Sequence, residues 1–78
     1  MSAHDVAKTE DTGLPNHVYN LVVLLQQAAE DTVRYEAFAE DARAAGDDEF
    51  ASWCEELADS DREVVRRARR MLSVRLQP

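Results

Sequence analysis

Seventy-eight residues make at most one small domain, and a core in so short a chain supplies only about 3 to 5 kcal/mol without a further staple. Cys54 is the only cysteine, which excludes an intrachain disulfide, and two histidines without cysteine partners exclude a structural zinc site. The net charge of -7 argues against nucleic-acid binding, whose affinity comes mainly from neutralised phosphates, so self-association is the remaining way to stabilise the chain.

Residues 1–14 mix charged and small polar groups without an apolar run and are expected to form a flexible N-terminal tail, neither a signal peptide nor an anchor. The longest apolar stretch, Leu21 to Leu25, is far short of a membrane span, so a cytoplasmic protein without membrane or cofactor partners is expected.

The hairpin is predicted over 15–76. Pro15 suits the start of a helix and Asn16 can cap it, giving a first helix over about 15–45. Gly46 is the left-handed stop, with a turn at 46–47. Asp47 or Asp48 then caps a second helix, which runs over about 48–75 and ends among arginines, where positive charge complements the helix dipole.

Apolar spacing gives these helices their faces. Val18, Leu21, Leu25, Ala28, Thr32, Tyr35, Ala39 and Ala42 follow steps of three and four, as do Phe50, Cys54, Leu57, Asp61, Val64, Ala68 and Met71. Folded about Gly46, the two stripes form one seam in which small residues are expected to face large ones, Ala42 against Phe50 and Ala28 against Val64. A second set lies outside that seam. Val22, Leu24, Ala29, Phe38, Trp53, Ala58, Val65 and Leu72 are predicted to form an oligomer interface, because two helices alone would leave them in water.

Charge then orients the partner. Acids crowd the turn end, whereas six arginines lie between Arg62 and Arg75 and residues 16–29 carry no charged side chain. Copies with turns at opposite ends pair acid with arginine. The fold class is therefore all-α: an antiparallel two-helix hairpin that dimerises into a four-helix bundle, or a higher assembly.

Few residues bear chemistry. Asp61 falls in the predicted seam, where an unpartnered carboxylate is costly. Thr32, Tyr35 or Arg62 would satisfy it, it would reach the seam's edge, or two copies would meet at the dimer axis and hold a cation weakly. Glu63 stands one turn before Arg66 and Arg67, making that basic run a salt-bridged face. Cys54 reads as a small core filler, His17 and His4 as surface residues, and only two glycines exist, so there is no phosphate-binding loop.

Tyr35, Phe38, Ala39, Ala42 and Gly46, with Trp53 and Ala58 on the second helix, resemble a helical hairpin of ferritin-like proteins of the rubrerythrin type. That resemblance implies half of a four-helix bundle whose halves have turns at opposite ends around a di-iron site. In its register the ligand glutamate falls on Ala28, and the Glu-x-x-His motif on Asp61 and Val64, so the chain resembles a degenerate half-bundle lacking the usual iron ligands. The expected function is thus nonenzymatic, by association with itself or with a second protein. The alternative is a metal-binding or redox protein with a site across the dimer.

Overall fold

A computed structural model describes residues 13–77, so twelve of the fourteen predicted tail residues, with His4, lie outside the described residues. Helix α1 spans Asn16–Ala44 and helix α2 spans Asp48–Arg75, packed side by side as an antiparallel hairpin. The extents of 50 × 25 × 16 Å describe a slab one helix thick. A helix with its side chains is about 10 to 12 Å across, and a finished domain has at least two layers.

The termini follow local chemistry. Pro15 occupies the N-cap of α1 and its carbonyl accepts from the backbone N–H of Val18 and of Tyr19, both at 3.0 Å; Asn16 is already helical rather than the cap. At the other end Asp47 N donates to Ala42 O at 2.8 Å and Gly46 N to Arg43 O at 3.0 Å, a Schellman closure that needs a left-handed residue. Gly46 provides it with φ of 78°. Asp47 then caps α2, its carboxylate accepting from Phe50 N at 3.1 Å, with Asp48 and Glu49 in the first turn. At the end of α2, Arg75 Nη1 donates to Met71 O at 2.9 Å.

Because a Cβ at Gly46 would meet nothing within 4 Å, the cost of Gly46→Ala is confined to the backbone conformation. That substitution is expected to destabilise the hairpin by about 1 kcal/mol. Urea unfolding followed by helicity measures it.

The hairpin core consists almost wholly of small side chains. Buried among the described residues are Val18, Ala28, Ala39, Ala42, Ala51, Cys54, Ala58 and Ala68, six of the eight being alanine. Ala39 and Ala42 cluster with Ala51 and Cys54, small against small. The predicted seam holds on α1, where all its buried residues recur. On α2 it holds in part: Cys54 and Ala68 are buried as predicted and Leu57 and Asp61 are half-buried, but Ala51 and Ala58 are the other buried positions, while Phe50, Val64 and Met71 are turned outward. The physical reason lies in α1. Alanines at 28, 39 and 42 draw the helices together, and at short separation the facing positions hold only side chains of similar size.

Candidate association surface

The two sides of the slab differ in chemistry. On one, ion pairs Arg43 to Glu55 and Arg62 to Glu36 bridge the helices. Arg62 Nη1 also reaches Asp59 at 2.7 Å, and Glu63 accepts from Arg66 at 2.7 Å, with Arg70 at 3.9 Å. All these groups are solvent-exposed, so each pair adds little to stability, and their main effect is to make this side hydrophilic. Arg43, held charged by its hydrogen bond to Glu55, has its pKa raised.

The hydrogen bond donated by Arg66, reinforced by the charges of Arg66, Arg70 and Arg67, lowers the pKa of Glu63 from its ordinary 4.5. A carboxyl depressed in the folded state contributes stability that is present above the unfolded value and is lost as pH falls through the folded one. Wild type is therefore expected to melt slightly higher than Glu63→Gln at neutral pH, the gap closing on acidification below pH 4.5. Paired thermal scans across that range read it, and added salt narrows the gap in the same way.

The opposite side is apolar. Phe38 of α1 and Phe50 of α2 line one groove near the turn. Tyr35 stands edge-on to Phe38 with ring centroids 6.3 Å apart, and Phe50 lies 6.4 Å from Trp53. From Phe50 the stripe continues at steps of seven through Leu57, Val64 and Met71, and from Phe38 through Asp31 to Leu24. Single-hairpin packing leaves Trp53 57%, Leu24 47%, Phe38 42% and Phe50 41% exposed. Phe50 to Met71 measures about 31 Å at 1.5 Å per residue.

The predicted interface residues separate accordingly. Leu24, Phe38 and Trp53 lie on the apolar side. Ala29 and Val65 line a groove with Thr32, Arg62 and Arg66 on the ion-paired side, and Val22 and Leu72 continue those stripes seven residues away. Ala58, only 1% exposed, is a correction: it belongs to the hairpin's own core and has no surface to offer a second chain. Phe50, Leu57, Val64 and Met71, expected in the seam, instead share the apolar side with Leu24, Phe38 and Trp53. Their seven-residue spacing was the available signal.

Asp61 is half-buried on α2. Of the three expected partners, Thr32 donates its Oγ1 instead to Ala28 O at 3.0 Å and Arg62 is engaged by Glu36 and Asp59. No three His, Cys, Asp or Glu side chains converge as a metal-binding group among the described residues. Cys54 is buried in the alanine cluster and His17 is exposed. Among the described residues no helix is long and apolar enough to cross a membrane.

No family model, curated protein or solved structure matches the chain.

Proposed function

We propose that the protein is a nonenzymatic helical-hairpin module that acts through protein association, first of all with copies of itself. One observation carries this reading: the residues the hairpin buries fully are nearly all alanines, while several of its largest apolar side chains stay exposed. Among the described residues six of the eight buried ones are alanine, while Phe38, Phe50, Trp53, Val64 and Met71 are all more than a third exposed. Burial of a large apolar side chain is worth about 1.5 to 3 kcal/mol, against much less for a methyl group. Most of the stabilisation this sequence has to offer is therefore realised only when a second surface covers the slab. The likeness to ferritin-like half-bundles supports the same architecture.

Light scattering coupled to size exclusion tests it. The expected particle has at least twice the 8.8 kDa of one chain, with helicity falling as dilution separates the copies. A particle of 8.8 kDa that keeps full helicity at micromolar concentration overturns the reading.

A further inference from the structure

Self-association alone does not say which side of the slab is covered, nor how the copies are oriented. Resting on that reading, we infer that the second copy seats on the Phe50, Leu57, Val64 and Met71 side with its turn at the opposite end, setting Phe50 against the partner's Met71 and Leu57 against the partner's Val64.

Three independent features point to this arrangement. First, the stripe is self-complementary under a two-fold axis perpendicular to the helices. Positions 50, 57, 64 and 71 are evenly spaced, so reversal about their midpoint between 60 and 61 maps each onto another apolar residue. The corresponding stripe on α1, Leu24, Asp31 and Phe38, reverses about Asp31 and sets Leu24 on the partner's Phe38. In the hairpin, residues 39 and 54, like 42 and 51, belong to one cluster, so Asp31 lies at nearly the same level as the α2 midpoint. A single axis therefore serves both helices.

Second, reversal meets the charge pattern. Asp41 and Asp47 line the Phe38–Phe50 groove beside the turn, and reversal brings them toward the partner's open end, where Arg67 flanks the stripe, whereas a same-end arrangement would stack acid on acid. At the axis, Asp31 carries its own Arg34 ion pair, so the two copies bring together a neutral group of four charges. On the flank, Trp53, Ser60 and Arg67 repeat at seven, and the reversal places the Trp53 ring beside the partner's Arg67, an arginine over an aromatic face.

Third, the other side is already occupied by ion pairs. Covering that side would desolvate two ion pairs of each copy, Arg43 with Glu55 and Arg62 with Glu36, whereas the apolar side brings in only the Asp31–Arg34 pair of each.

Disulfide mapping in a Cys54→Ala background separates the arrangements. Leu57→Cys chains mixed with Val64→Cys chains are expected to give cross-linked dimer as the main oxidised product, because their Cβ atoms face across the interface within bonding reach. Met71→Cys chains alone are expected to stay uncross-linked, since reversal puts those positions far apart. Cross-linking of Met71→Cys with itself would establish turns at the same end and overturn the orientation. A dimer mass with no 57–64 cross-link would place the interface on another face. A folded monomer would remove the underlying self-association reading as well, leaving the face to a different protein.

The unmodified chain gives a second readout. Trp53 is the only tryptophan, and its emission is expected to lie to the blue in the assembly and shift to red on dilution. A dimer whose emission is that of solvent-exposed indole throughout also overturns the assignment.

Discussion

Ala51→Leu is expected to unfold the hairpin at concentrations where wild type is fully helical. Ala51 is completely buried, and its methyl group packs in one cluster with Ala39, Ala42 and Cys54. It also lies only one turn past the Asp47 cap, whose carbonyl accepts from Ala51 N at 3.1 Å. A leucine there has no room unless α2 moves away from α1, and that movement would pull on the Schellman closure at Gly46. Overpacking of a close-packed core costs about 1 to 3 kcal/mol, comparable with the whole stability of a domain this small. Ala51→Gly is a useful companion. It adds no volume, and its cost of about 1 kcal/mol is that of a flexible residue in a helix. If the position were merely a sensitive helical site, the glycine variant would be the worse of the two. If it is a contact between close helices, leucine is the worse, and thermal melts by circular dichroism give the order.

The same alanines explain what was and was not legible in the sequence. Helix limits were readable because Gly46 and Asp47 are strong local signals: the expected spans of 15–45 and 48–75 compare with Asn16–Ala44 and Asp48–Arg75. On α1 the inward stripe was also readable, since Val18, Ala28, Ala39 and Ala42 all fall on one run of three- and four-residue steps. On α2 two heptad stripes run side by side. Phe50, Leu57, Val64 and Met71 are the more hydrophobic, and Ala51, Ala58, Val65 and Leu72 are the smaller at the turn end.

Hydrophobicity favours the first stripe for the core, whereas the separation set by α1 requires the second. A pattern read one helix at a time weighs only hydrophobicity, because interhelical distance belongs to the pair. The alanines at 39 and 42 held that information, but it applies only once they are seen to face positions 51 and 54. Asp61, seven residues from both Cys54 and Ala68, stays on the inward stripe as the spacing predicts, but it is half-buried rather than enclosed.

Leu57→Glu combined with Val64→Glu is expected to abolish association, and most helical structure with it, at concentrations where wild type is assembled. Leu57 is half-buried and Val64 is 37% exposed in the single hairpin, so neither change violates the alanine core, and an isolated helix tolerates glutamate at both positions. In the antiparallel arrangement, however, the new carboxylate at position 57 faces the one at position 64 of the second copy, and four carboxylates would meet in an apolar setting. Like charges so placed cost several kcal/mol. The hairpin, left with little more than alanine packing, should then lose helicity alongside mass. A chain carrying Leu57→Lys and Val64→Lys is expected to fail alone for the same reason, now with four ammonium groups. Mixed in equal amounts, the two failed chains should recover a dimer and its helicity, because every carboxylate then faces an ammonium. This recovery distinguishes a specific 57–64 interface from general loss of hydrophobic surface, since deletion of apolar area is not reversed by mixing. Face-to-face stacking with turns at the same end would instead lay α2 of each copy over α1 of the other, so that 57 and 64 would not face each other and mixing would restore no charge pairing. The disulfide pattern at Met71 tests the orientation independently, and the charge exchange tests the 57–64 contact itself. Failure of the mixture to regain mass and helicity would mean that the apolar side of this slab is covered by something other than a reversed second copy.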